Sequence, residues 1–170
     1  MGFVEWYSKL GISPVSQDIE DLHRHFERRE GLVRSLGLVP AWIGGRRLLE
    51  FGPGSGFNSL YFVRLQPASY DLVEGNPVGY AETTQRLEGA KNVVVHHSRF
   101  ESFQTRPVYD LVWAEGCLPH NSNPKALLSH VATFTKPGGV LVVSLVSGVS
   151  WLSETFRRLV WTKCFESSPA

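Results

Sequence analysis

One short stretch limits what this chain can become. Leu48, Leu49, Glu50 and Phe51 form a mostly apolar run that reads as a buried strand. Gly52-Pro53-Gly54-Ser55-Gly56 follows directly, and a helix-like segment with Leu60, Tyr61, Val63 and Arg64 begins near Asn58 or Ser59. Strand, glycine turn and helix make the opening unit of a doubly wound α/β domain. Closely spaced glycines tolerate positive φ and let the backbone approach a ligand where a Cβ would collide. The helix start beyond them offers unpaired N–H groups and the positive end of a dipole, which suits a carboxylate or phosphate.

The spacing narrows the ligand. Loops that hold the pyrophosphate of NAD read G-x-G-x-x-G. Counted from Gly52 the third glycine falls on Phe57, and counted from Gly54 it falls on Ser59. The order Glu50-x-Gly52-x-Gly54-x-Gly56 instead resembles motif I of the class I S-adenosylmethionine-dependent methyltransferases. In that family an acidic residue two places before the first glycine lies near the amino group of the methionine moiety, and Glu50 matches it. The resemblance implies that Gly52, Pro53, Gly54 and Gly56 shape the cofactor loop.

Other parts occur in order. Ser69 to Glu74 reads as a second strand, with a turn at Gly75-Asn76-Pro77. Glu74 stands about 20 residues beyond the glycines, at a strand end, where a carboxylate accepts hydrogen bonds from ribose hydroxyls. Gly75 and Asn76 join it as candidate cofactor contacts. Lys91 to His96, with three consecutive valines, reads as a third strand. After that strand the family often carries an Asp that meets the adenine amino group. Here the counterpart is Ser98 or Arg99, so the resemblance leaves the adenine contact to groups near Arg99 and Phe100. Val108 to Ala114 opens with Tyr109-Asp110 and resembles the family's motif IV, whose Asp is usually structural. It leads into Glu115-Gly116-Cys117-Leu118-Pro119-His120 at the sheet edge where such folds bind ligands. Glu115 and His120 are therefore the titratable groups expected near the transferred methyl, His120 as a base. Lys136-Pro137-Gly138-Gly139 before an apolar strand, Val140 to Val146, resembles the family's turn before strand five.

The fold expected is α/β: a doubly wound, Rossmann-like, mainly parallel sheet of five strands in order 3-2-1-4-5. Residues 1–46 read as an N-terminal helical cap, 47–162 as the S-adenosylmethionine-binding domain and 163–170 as a tail. Phe3, Trp6, Tyr7 and Leu10 suggest a short helix that is an aromatic cap on the core or a substrate lid; stripes at helical spacing are usually buried, which favours the cap. Ser16 is a candidate N-cap for a helix with Ile19, Leu22, Phe26, Val33 and Leu36 on its apolar face, split at Gly31. His23, Arg24, His25, Arg28 and Arg29 are assigned to its solvated face. Trp151 to Trp161 reads as a last helix. The family's last two strands are absent after it, so Val140 to Val146 is expected at an uncovered edge. A second copy, that helix or missing sequence would cover the edge.

Composition excludes several classes. Seventeen basic against sixteen acidic residues leave a net charge of +1, so no bulk-charge nucleic-acid footprint is expected. Cys117 and Cys164 make neither a disulfide framework nor a metal motif. No apolar run is long enough to span a bilayer and no secretory signal opens the chain. The expectation is a cytoplasmic methyltransferase that uses S-adenosylmethionine, needs no metal and acts on a small molecule or biosynthetic intermediate. A non-catalytic nucleotide-binding or interaction module is the alternative. An NAD(P)-dependent oxidoreductase is disfavoured by the glycine pattern and the missing Tyr-x-x-x-Lys pair.

Overall fold

The computed structural model of the chain describes residues 3–15, 17–106, 108–145 and 147–164. Its sheet consists of β1 (Arg47–Phe51), β2 (Ser69–Glu74), β3 (Val93–His97), β4 (Tyr109–Ala114) and β5 (Thr135–Val143). Every pairing is parallel and the order is β3-β2-β1-β4-β5, as the element alternation predicts. The helices are α1 (Phe3–Lys9), α2 (Leu22–Ser35), α3 (Pro40–Ile43), α4 (Phe57–Arg64), α5 (Pro77–Arg86), α6 (Pro124–Ala132) and α7 (Gly148–Cys164). Helices α4, α5 and α6 make crossovers; among the described residues between β3 and β4 the helical element is a 3₁₀ turn at Phe100–Ser102. Asn76 and Asn123 cap α5 and α6 with their side-chain oxygens, and a proline occupies the first turn of each.

Side-chain alternation along the strands divides the core into two layers. Leu49, Phe51, Val73, Val112 and Ala114 face Leu127, Val131 and Phe134 on the α6 side. Leu48, Tyr70, Leu72, Leu111 and Trp113 face Val33, Ile43, Tyr61 and Phe62 on the α2–α4 side. Phe51 sits 5.5–6.0 Å from the rings of Phe100, Phe103 and Phe134. Burying a side chain of that size stabilises by about 1.5–3 kcal/mol. The same packing fixes the loop after β3, which forms one wall of the site.

Several local expectations need correction. α2 begins at Leu22, with Asp21 as its N-cap accepting from the Arg24 N–H; Ser16 lies outside the described residues. Gly31 does not split it, because continuous hydrogen bonding outweighs the local cost of one glycine. His25 and Arg29 are not on its solvated face. They are 5% and 6% exposed, in line with Val33 at i, i+4 and i+8, so this row packs inward. Lys136–Gly139 is not a turn ahead of the last strand. It is a bulge within β5, whose register jumps from Tyr109↔Thr135 to Leu111↔Val140. Asp110 pins that bulge: one oxygen lies 2.5 Å from Lys136 Nζ and the other accepts the Arg47 N–H at 2.9 Å. The last helix is longer than expected, and the tail beyond residue 164 lies outside the described residues.

Candidate functional site

The carboxyl ends of β1, β2 and β4 converge on the glycine loop. Gly52 and Gly54 have φ of +72° and +61°. A Cβ on Gly52 would lie 2.7 Å from Cys117 Cβ, and one on Gly54 would lie 3.3 Å from Val15 Cβ. The loop is tied down on both sides. Thr83 Oγ1 donates to the Gly54 carbonyl at 2.8 Å. The Glu74 carboxylate accepts the Gly54 N–H at 3.1 Å on one oxygen and the Asn76 N–H at 2.8 Å on the other. Burial pushes the Glu74 carboxyl up, and the N–H dipoles of Asn76, Gly54 and Gly75 beside it oppose that.

Above the loop lies a cavity of about 370 Å³. Gly52, Gly54, Glu74, Gly75 and Asn76 form one end, and Arg99, Phe100 and Glu101 form a side wall. Glu115, Gly116 and Cys117 form the floor beyond β4, with Asn121 and Ser122 beside them. The cavity thus gathers Gly52, Gly54, Glu74, Gly75, Asn76, Arg99, Phe100 and Glu115 from the sequence-derived set. It does not gather Glu50, Pro53 or Gly56. Gly56 instead caps α4 and faces Thr83 of α5.

Glu50 is held by polar partners in the buried layer. It shares the Leu48 side of β1 and is 3% exposed. Its Oε2 accepts the Ser59 hydroxyl at 2.6 Å and the Tyr70 hydroxyl. Burial pushes its carboxyl up, opposed by those two bonds. Glu115 lies on the same side and does reach the cavity. Arg29 of α2 grips it with a two-point fork at 3.0 and 2.7 Å, and the Trp113 indole N–H donates to it at 3.0 Å. Burial alone would raise the Glu115 carboxyl, but the fork and the indole bond outweigh it and hold the group below the usual range.

The N-terminal segment roofs the cavity. Val4, Glu5, Tyr7, Pro14 and Val15 line it, while Trp6 and Leu10 are each 54% exposed. α1 is therefore not an aromatic cap sunk in the core; its polar and aromatic residues cover the ligand-sized space. Glu5 pairs with Arg99 at 2.6 Å, and Asn76 Nδ2 donates to the Ile12 carbonyl at 3.1 Å. Sequence reasoning missed Arg29, for which the inward row His25-Arg29-Val33 was the signal; for the N-terminal helix it offered a lid as well as a core cap and favoured the cap, and it did not reach Pro14 and Val15. His120 lies in a 3₁₀ turn, Leu118–His120, and its side chain is outside the described residues. Burial pushes the Cys117 thiol up to about 12, so it is held as an uncharged wall group. Among the described residues no group of three or more His, Cys, Asp or Glu is placed to hold a metal.

Comparison with known proteins decides the family. The family model for a methyltransferase domain matches residues 20–164. The chain belongs to this methyltransferase-domain family. No curated protein sequence matches it. Among solved structures, YcgJ from Bacillus subtilis is similar at a TM-score of 0.64 and 18% identity, over 81% of this chain and 59% of that one. Magnesium protoporphyrin IX methyltransferase from Synechocystis PCC 6803, solved with bound S-adenosylmethionine, gives 0.61 and 15%, over 79% and 67%. A methyltransferase from Aquifex aeolicus gives 0.60 and 17%, over 79% and 77%. At these identities the likeness shows the fold. Against other solved relatives the chain spans about half of their length. Among the described residues no helix is long and apolar enough to cross a membrane.

Proposed function

We propose that this methyltransferase-family domain binds S-adenosylmethionine in the roofed cavity and transfers its methyl group to a small molecule or biosynthetic intermediate. One observation carries the reading: the glycine loop and the Glu74 carboxylate meet at one end of a cavity of about 370 Å³. The residues present fit the cofactor. Glu74 uses two of its acceptor positions on backbone N–H groups and keeps others for ribose hydroxyls. Gly52 and Gly54 leave room for the ligand, Gly75 and Asn76 border the ribose, and Arg99 and Phe100 flank the base. Pro53 and Gly56 hold the loop from behind, and Glu50 supports it from the buried layer.

Bound there, S-adenosylmethionine supplies a methyl group on a positively charged sulfur. The chain's own task is orientation, which accounts for much of the rate in such a reaction. The roof excludes water, and Glu115 presents a negative charge on the floor. His120, just past the floor, is assigned the proton of an acceptor that must lose one. His120→Ala should then lower turnover and spare cofactor affinity. In this reading residues 1–46 act as a cap on the cofactor domain (47–162), with 163–170 as a tail, and the protein is cytoplasmic. β5 stands at the sheet edge while α7 turns an apolar stripe to solvent, so a second copy is proposed to cover them.

Calorimetry with S-adenosylmethionine, S-adenosylhomocysteine and NAD tests the reading. Binding of the first two and not the third supports it. Binding of NAD alone would return the oxidoreductase alternative, and binding without methyl transfer to any acceptor would favour the non-catalytic module.

A further inference from the structure

The Arg29–Glu115 pair has a geometry that a packing role alone does not require. Arg29 is 6% exposed and does not line the cavity, yet both its terminal nitrogens converge on a carboxylate that does. The indole of Trp113 fixes the same carboxylate from a third direction, and the guanidinium sits 5.7 Å over that ring. Such a three-point grip holds the carboxylate in one orientation, facing the ligand space.

We infer that Arg29 is a positioning residue, which holds Glu115 as a fixed, charged receptor for a cationic group of the bound ligand. This rests on the cavity being the cofactor site. The ligand class it selects carries a positive charge beside its nucleoside, as both an amino-acid ammonium and a sulfonium do. The groups around Glu115 are Arg29 from α2, Glu50 from β1 and Cys117 from the floor. The other charged or titratable groups lining the cavity are Glu5 and Tyr7 from α1, Glu74 from β2, Cys117, and Arg99 and Glu101 from the segment after β3. Arg29 is the cation that grips Glu115; Arg99 is engaged by Glu5. Without Arg29, burial is left as the leading influence on Glu115, and its carboxyl moves up rather than down. The receptor would then lose its charge at a higher pH than in the wild type.

The test is the pH profile of S-adenosylhomocysteine affinity, which keeps the ammonium and lacks the sulfonium, with Glu115 followed by carboxyl carbon NMR in the ligand-free protein. Wild type should bind with nearly constant affinity from pH 5.5 to 8. Arg29→Met should bind at least tenfold more weakly at pH 5.5 and recover part of that by pH 8, with the Glu115 titration moved up. Adding Glu115→Gln should remove the pH dependence. Arg29→Lys, which keeps a charge but not the fork, should fall between, and it carries the test if Arg29→Met does not fold. A flat profile at wild-type affinity in the Arg29 variants overturns the inference. So does a loss that is equal at all pH values and unchanged by Glu115→Gln. If wild type binds neither S-adenosylmethionine nor S-adenosylhomocysteine, the proposed function falls with it; wild-type binding with indifferent variants sinks the Arg29 role alone.

Discussion

Glu74 is the residue on which the ribose assignment turns, and Glu74→Gln probes it with little change of shape. In the wild type each carboxylate oxygen accepts one backbone N–H, from Gly54 and from Asn76. A glutamine presents one oxygen and one NH₂, so one of those N–H groups must face a donor. Leaving a buried N–H unpaired costs about 1–3 kcal/mol. Part of that is offset, because burial already disfavours the Glu74 charge. A net loss near 1 kcal/mol lowers Tm by about 2–4 °C in a domain of this size. Ligand affinity should fall further. Hydrogen bonds to a charged group are worth about 1.5–3 kcal/mol, or roughly ten- to 150-fold in Kd. Thr83→Val is the control. It removes the Thr83 hydroxyl bond to the Gly54 carbonyl, loosening the same loop without touching a ligand acceptor. Calorimetry with S-adenosylhomocysteine, paired with thermal melts, should show Glu74→Gln losing much more affinity than Thr83→Val at similar stability. Wild-type affinity in Glu74→Gln would falsify the ribose role. Equal losses in both variants would reduce Glu74 to a loop brace.

Gly54→Val places a side chain at φ +61° and against Val15, so it should cost more than about 1 kcal/mol of stability and abolish measurable binding; a folded variant that binds normally removes the loop from the site. Asp110→Ala strips the Arg47 N–H and Lys136 of their acceptor and should destabilise by about 1–3 kcal/mol at pH 7. Burial pushes the Asp110 carboxyl up, but the Arg47 N–H, Lys136 and Arg46 together hold it below its ordinary 3.8. Its contribution is therefore present above that value and lost as the pH falls through the lower folded-state value. Urea melts at pH 7 and near pH 3 should show the wild-type advantage shrinking in acid, and a constant advantage would refute the ionic account.

Sheet order and the strand ends and glycine loop that frame the cavity were legible because they rest on local signals that packing reinforces. Apolar runs of strand length, a glycine cluster and an acid at the next strand end each fix backbone geometry within a few residues. Glu50 shows the limit. Its spacing from the glycines was readable, but its bonds to Ser59 and Tyr70, 9 and 20 residues further along the chain, were not. Arg29 shows another. A charged residue amid charged neighbours reads as solvated, and only its partner 86 positions away explains its burial. The roof from Val4 to Val15 depends on contacts with residues far along the chain, such as Glu5 with Arg99. The β5 bulge was hidden because Pro-Gly-Gly signals a reversal as readily as a looped-out strand segment.

The cavity also predicts what the last part of the chain is for. Among the described residues, those lining the cavity lie between Val4 and Ser122. Beyond it, Ser144 ties to the floor: its Oγ accepts the Gly116 N–H at 2.5 Å. α7 lies past that point. Val149, Leu152, Phe156, Leu159 and Val160 follow helical spacing on one side of it, and each is about half exposed or more. An apolar stripe left in water contributes little to folding, since stabilisation scales with the area removed from water. A chain ending at Ser147 should therefore keep its fold and bind S-adenosylhomocysteine within about threefold of the full chain, a change below 1 kcal/mol. The stripe should matter for association instead. Together with the β5 edge it supplies the apolar surface a second copy would cover, so light scattering should show the full chain self-associating and the shortened one less so. A tenfold loss of affinity on shortening would show that α7 supports the cofactor site after all. A full chain that stays monomeric at high concentration would remove the second copy from the proposal.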